Sequence, residues 1–379
     1  MIYWRLSGFY LFYFASLGGL IPYWSLYLKS LDFSITEIAE LVAILMATKI
    51  VAPNVWGWIA DHIGHRMVIV RIASLLAAVA FTGVFLAHGF WWLALIMTLF
   101  SFFWNAALPQ FEATTMNHLG EHPHHYSSIR LWGSVGFIIA VSALGPLLGS
   151  YGTALLPQVL VVLFVLIWLS SLTVPESAAG HLPIDQVPLR TVLRKPVVLA
   201  LLFVCFLVQA SHGPYYALFS IYLEEYGYST GLIGQLWALG VIAEIGVFLL
   251  MPVLLPRFGA RRLLLTAVGL TTLRWLLIGG FADSLIIMVF AQTLHAASFG
   301  LYHAVAIYLI HTLFTGAHQG RGQALYSSLS FGAGGAAGSL ASGYLWSGVS
   351  PQAVFLMAAA TSLLALAVVY GGIRDFRIA

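Results

Sequence analysis

The chain has 379 residues, 61% of them hydrophobic and 8% charged, with a mean hydropathy of +0.94 and a formal net charge of +3. So few charges cannot clothe a soluble surface of this size, and so small and scattered a positive excess excludes a nucleic-acid footprint. The single Cys205 lies in an apolar run, which leaves neither a disulfide framework nor a cysteine metal site.

Crossing a bilayer takes about 20 mainly apolar residues, and such runs follow one another along the whole chain. In order, the predicted spans are 5–28, 37–60, 67–88, 91–118, 127–149 and 154–174, then 197–224, 231–254, 262–282, 284–312, 320–345 and 351–372. The first run is too long for a signal peptide and carries Lys29 and Asp32 where a cleavage site would lie, so it reads as a retained span. Residues 175–196 are rich in proline and hold Arg190, Arg194 and Lys195, which reads as a cytoplasmic linker between domains at 1–174 and 197–379. The expected fold is an all-α membrane protein of twelve helices in two pseudo-symmetric six-helix bundles. Twelve of the sixteen Lys and Arg residues fall on the side that holds both termini, which the positive-inside bias assigns to the cytoplasm.

A shift of 195 residues relates the two halves. It places Ser25-Leu26-Tyr27-Leu28 on Ser220-Ile221-Tyr222-Leu223, Gly18 on Gly213, and Gly64 and Arg66 on Gly259 and Arg261. The loop after the second span reads Gly57-Trp-Ile-Ala-Asp61-His-Ile-Gly64-His-Arg66. Its glycines suit a tight turn and close helix approach, and its charges can latch neighbouring helix ends on the cytoplasmic side, so Gly57, Asp61, Gly64 and Arg66 are candidate latch residues. An ordinary short turn with positive-inside arginines is the competing reading.

A charge at the centre of a span costs roughly 2.5–3.5 kcal/mol on insertion scales, so each should face a cavity and have a partner. The set is Lys49, Glu112, Arg130, Glu244 and Arg274. Lys49 and Glu244 are repeat equivalents, which would point both at a central cleft, either as a transport element or as a structural ion pair. His295 and His303 place two groups of near-neutral ordinary pKa on one face of the tenth span, where a role in proton coupling competes with plain hydrogen-bonded burial. On the seventh span Gln209, His212, Tyr215 and Tyr216 form a polar and aromatic patch beside Gly213-Pro214, an expected helix irregularity and a candidate binding surface. The histidines of the loop 118–125 read as a solvated loop and not as a metal site, and no cofactor is expected. Gly334, Gly338, Ser339 and Gly343 have the small-xxx-small spacing of close helix packing.

With these residues the whole chain resembles the phenylpropionate permease branch of the major facilitator superfamily, related to lactose permease and the oligosaccharide:proton symporters. The loop 57–66 resembles the superfamily signature, with histidine at 62 and 65 where Arg or Lys is usual. More specific are Pro22-Tyr23-Trp24-Ser25, Tyr126 to Gly136, Gln235 to Phe248, Leu273-Arg274-Trp275, and Leu294-His295 with His303. The resemblance implies that Glu112 and Arg130 act at the substrate, and that Glu244, Arg274 and His295 couple a proton. The proton-carrying glutamate of such permeases falls here on Ser298, which leaves Glu244 as the preferred carrier.

Three cations, Lys49, Arg130 and Arg274, against two carboxylates, Glu112 and Glu244, leave one positive charge that a monoanion would neutralise. The expectation is a proton symporter of the bacterial inner membrane, working as a monomer and not as an enzyme. It would import an aromatic carboxylate such as 3-phenylpropionate by alternating access, with a sugar or nucleoside as the alternative substrate. Substrate would meet Glu112, Arg130, Lys49, Gln209, His212 and Tyr215, and the proton would be handled by Glu244, Arg274, His295 and His303.

Overall fold

The computed structural model describes residues 2–120, 122, 125–177, 189–316 and 318–373, and of Asp61 the backbone alone. It is 90% helical, with no strand among the described residues. The helices are α1 Ile2–Ser30, α2 Ile35–Ile63, α3 Arg66–Phe81, α4 Phe90–Leu119, α5 Tyr126–Tyr151 and α6 Leu156–Leu172. A short α7, Leu189–Leu193, precedes α8 Pro196–Glu225, α9 Thr230–Phe258 and α10 Ala260–Gly280. The tenth span is α11 Leu285–Thr293 and α12 Tyr302–Leu313 joined through a π-helical segment, Ala296–Leu301. The eleventh is α13 His318–Ser327 and α14 Gly335–Gly348 around a second π-helical segment, Ser328–Gly334, and α15 Pro351–Gly372 closes the series. Ten of these runs are long and apolar enough to cross a membrane, and α2 and the Gly/Ser-rich run 318–348 bring the long helical runs among the described residues to twelve.

The 195-residue register extends further in the structure than in the sequence. Added to 35, 63 and 90, the first and last residues of α2 and the first of α4, it gives 230, 258 and 285, the bounds of α9 and the start of α11. Helix ends explain why side chains can diverge while the register holds. Ser34 caps α2 in a capping box with Glu37, each bonding the other's backbone N–H, and Gly64 ends the helix at φ +74°, a conformation that a residue with a Cβ rarely adopts.

By compactness the chain divides into unit 1, Met1–His181 with Gly227–Ala238, and unit 2, Leu182–Tyr226 with Leu239–Ala379. Of the linker predicted at 175–196, residues 178–188 lie outside the described residues, as do Arg374 and Arg377. Unit 1 packs α1 against α5 and α6, and α4 against α2 and α3, around Phe81, Phe100 and Phe164, whose ring centroids are 4.7–5.0 Å apart. Residues 227–238 belong to this unit through polar contact as well: Thr230 Oγ1 donates to the Gly145 carbonyl at 2.9 Å.

Unit 2 packs α8 against α14 and α15, and α10 against α15 and the tenth span. The helix irregularity expected at Gly213-Pro214 is absent, since α8 runs through Pro214 unbroken. Proline has no N–H for the Ala210 carbonyl four residues back. Gly338 of α14 takes that place: a Cβ on it would run into the Ala210 oxygen, so its Cα–H lies against the vacated acceptor. Gly213 is pressed against the backbone of Gly338 in turn. The small-residue spacing of the eleventh span therefore does pack helix on helix, and the irregular backbone sits in the tenth and eleventh spans.

Candidate functional site

In unit 2, Arg274 projects from α10 and is 0% exposed. Its Nη2 donates to Gln292 Oε1 at 3.0 Å, and its Nη1 reaches Ser298 Oγ at 2.9 Å and His295 Nδ1 at 3.0 Å. The rings of Tyr215 and Trp275 lie 4.3 and 4.7 Å from the guanidinium carbon, and Tyr215 also donates to Gln292 Oε1 at 3.1 Å. No described carboxylate of unit 2 forms an ion pair with Arg274. Its charge is spread over neutral acceptors and aromatic faces.

A guanidinium can only donate, so His295 Nδ1 accepts and carries no proton. The ring proton of neutral His295 is then on Nε2, which lies 3.6 Å from Glu244 Oε2. Glu244 on α9 packs with its Cγ close to Gly300, in the π-helical segment one residue beyond Phe299. Arg274, His295 and Glu244 thus stand in series, with the tautomer of the central imidazole set from the Arg274 side. Ser298 stands in the same cluster as an acceptor for Arg274 through its hydroxyl.

His303 lies one stacking step further. Phe299 is sandwiched nearly parallel between His295, 5.4 Å away, and His303, 5.7 Å away, and His303 Nδ1 is 2.8 Å from Tyr326 Oη on the eleventh span. His212 and Gln209 are buried in unit 2, where Nδ1 of His212 donates to the Val208 carbonyl at 2.7 Å and its ring packs on Trp275. Gln209, His212, Tyr215, Arg274, His295 and Glu244 therefore all belong to one unit.

Unit 1 holds the second cluster. Arg130 Nε on α5 is 3.9 Å from Glu112 Oε1 on α4, and Tyr126 donates to the same oxygen at 3.3 Å. Both side chains are about one-third exposed. Aromatic rings of α1 and α4 surround them: Tyr13 stacks on Trp104 at 5.0 Å, Phe9 on Phe111 at 3.8 Å, and Phe14 lies 3.8 Å beneath the Arg130 guanidinium carbon. Among the described residues of its unit, Lys49 on α2 has only the Met46 sulfur, at 3.7 Å, as a hydrogen-bond partner. Its neighbour Thr48 belongs to a network in which Asn105 donates to Thr48 Oγ1 at 3.0 Å and Thr48 to Ser101 at 2.8 Å.

At the signature loop, Arg66 Nη1 donates to Gln110 Oε1 on α4 at 2.8 Å, and Glu176 accepts from the Met67 N–H at 3.0 Å in the first turn of α3. A Cβ on Gly57 would meet Gln110 only at 3.6 Å, an ordinary contact, and the Asp61 side chain lies outside the described residues. In the second copy Arg261 binds the carbonyls of Ile373 and Tyr370 at the end of α15. Glu121, Pro123 and His124 of the histidine loop are outside the described residues; among those described, no three metal-ligating side chains cluster.

Reading the sequence missed Gln292, Ser101, Asn105, Glu176 and Phe14. Gln292 carried a usable signal, the one amide of the span 285–312, and Asn105 a weaker one, since its span also holds Gln110 and Asn117. Phe14 carried none, because an aromatic residue in the first span looks the same whether it faces lipid or a guanidinium.

Residues 3–357 match the MFS_1 like family. The chain belongs to that family of major facilitator transporters. The "Probable 3-phenylpropionic acid transporter" of Escherichia coli (strain K12) is 30% identical over 369 residues, 94% of each chain. The "Maltose permease" of Geobacillus stearothermophilus is 29% identical over 92% of this chain and 89% of its own. Among solved structures, a mutant of the nucleoside transporter NupG superposes with a TM-score of 0.86 at 16% identity, covering 99% of this chain and 100% of NupG, which establishes the shared fold. This family member is thus a multi-pass membrane transporter for a small molecule, with the all-α major facilitator fold.

Proposed function

We propose that the protein imports an aromatic monocarboxylate of the 3-phenylpropionate type by proton symport through alternating access. One observation carries the reading: Arg274 is fully buried, lies against the rings of Tyr215 and Trp275, and has no carboxylate partner among the described residues of its unit. A buried cation among rings matches a ligand that is itself a ring with one negative charge. The count of three membrane cations to two carboxylates agrees, and so does the name of the 30% identical relative.

In this reading Glu112, Arg130 and Lys49 of unit 1, with Gln209, His212 and Tyr215 of unit 2, contact the substrate. Glu244 takes the proton, since His295 Nδ1 is already occupied as an acceptor by Arg274. Arg274, His295 and His303 position it. Gly57, Asp61, Gly64 and Arg66 serve as a cytoplasmic latch, and the monomer works in the inner membrane with both termini in the cytoplasm.

Uptake of labelled 3-phenylpropionate into proteoliposomes under an imposed inward proton gradient tests the reading. Uptake that collapses with a protonophore, and that aryl acids inhibit while maltose and uridine do not, is the expected result. Inhibition by the sugar or the nucleoside in place of aryl acids would support the second reading, a sugar or nucleoside symporter, which the 29% identical maltose permease favours.

A further inference from the structure

Arg130 reaches from α5 back towards α1, where its guanidinium carbon lies 3.8 Å from the centre of the Phe14 ring. At that distance the planar group lies on the ring face, held by the negative face of the ring and by dispersion. Such stacking uses the flat side of the guanidinium and leaves its N–H edge unspent. Nε is turned towards Glu112, at 3.9 Å, which is too long for a hydrogen bond. Among the described residues of unit 1, neither Nη1 nor Nη2 has a hydrogen-bond acceptor.

The slot that admits this geometry depends on one glycine. Gly133 is one turn beyond Arg130 on the same helix, and a Cβ there would stand 2.7 Å from Arg130 Nη1 and 2.8 Å from Phe14 Cδ2. Any side chain at 133 would push the guanidinium off the ring, because the arginine tip is the part able to move. Arg130 and Phe14 are both partly exposed, so the arrangement borders accessible space.

We infer that Phe14 and Gly133 act as positioning residues that hold Arg130 flat with its Nη1–Nη2 edge bare, ready to take the carboxylate of the substrate through two parallel hydrogen bonds. This rests on the aryl-carboxylate reading above. A guanidinium already fixed by stacking loses little freedom when the anion arrives, so the pair sets affinity and not turnover.

The test is the kinetics of labelled 3-phenylpropionate uptake by the full-length protein in proteoliposomes. Phe14→Leu, close in volume but without a ring face, should raise KM about three- to tenfold with kcat held within about twofold. Phe14→Tyr, which keeps the face, should return KM to the wild-type value. Gly133→Ala, which deletes no ring but crowds both Arg130 and Phe14, should raise KM as Phe14→Leu does, and it carries the test if the leucine variant is not recovered folded. A wild-type KM in Phe14→Leu or in Gly133→Ala, or a Phe14→Tyr variant no better than the leucine one, overturns the inference while leaving the substrate reading intact. Wild-type protein that takes up no aryl carboxylate overturns both.

Discussion

Arg274 Nη1 lies 3.0 Å from His295 Nδ1, and this single contact assigns the imidazole its tautomer. With Nδ1 committed to accepting, Nε2 carries the proton and presents it towards Glu244, 3.6 Å away. A second proton on His295 would set a positive charge and an N–H against a guanidinium. The imidazole therefore lies between Arg274 and Glu244 with one nitrogen turned to each, and on the proton-symport reading proposed above Glu244 is the group that would load and unload.

Glu244→Gln keeps the shape and the hydrogen-bonding capacity of the side chain and removes its ability to release a proton. In proteoliposomes this variant should lose uptake driven by a pH gradient while still exchanging labelled for unlabelled substrate. Gradient-driven uptake at the wild-type rate would exclude Glu244 as the carrier.

Arg274→Lys preserves charge and loses geometry. An ammonium cannot span Gln292, His295 and Ser298 as the planar fork does, nor stack on Tyr215 and Trp275 in the same way. We expect uptake to fall at least about tenfold, with a monodisperse elution profile in detergent showing that the variant is folded. Retained activity would mean that charge alone suffices there.

Tyr326→Phe deletes the hydroxyl 2.8 Å from His303 Nδ1 and leaves the ring that packs on Phe331. The loss of a buried hydrogen bond of this kind costs about 1 kcal/mol. Thermal unfolding followed in detergent should show a drop of a few degrees, and an unchanged midpoint would show the bond to be inconsequential.

Gly338→Val places two methyl groups where the Ala210 carbonyl now lies against the Gly338 Cα. Helix α14 cannot then approach α8 at Pro214, and the carbonyl that proline leaves vacant loses its substitute contact. Folded protein should be largely lost, read as aggregation in fluorescence-detected size exclusion, whereas Gly348→Ala, where a Cβ meets nothing within 4 Å, should behave as wild type. Normal recovery of Gly338→Val would show that the contact is not needed.

The fold was legible early because its signals are additive along the chain. Each span needs only enough apolar residues to cross hydrocarbon, and a duplicated register survives wherever helix ends are kept, as Gly64 and Gly259 keep theirs with φ near +75°. The charged members of the candidate site were legible for a related reason. Lys49, Glu112, Arg130, Glu244 and Arg274 are costly in a membrane, so their presence alone announces them.

What the sequence determined by itself, then, is the number and order of the spans, the duplication, and the short roster of charges that the membrane would otherwise reject. Partnership was decided only by tertiary structure. Nothing in a linear string says that Arg274 bonds Gln292, His295 and Ser298, that its charge holds one His295 nitrogen unprotonated, or that Gly133 clears the space in which Arg130 lies on Phe14. Hydrophobicity is a property of each residue and sums locally, whereas a hydrogen bond or a stacked ring depends on two side chains from different helices meeting within about 4 Å.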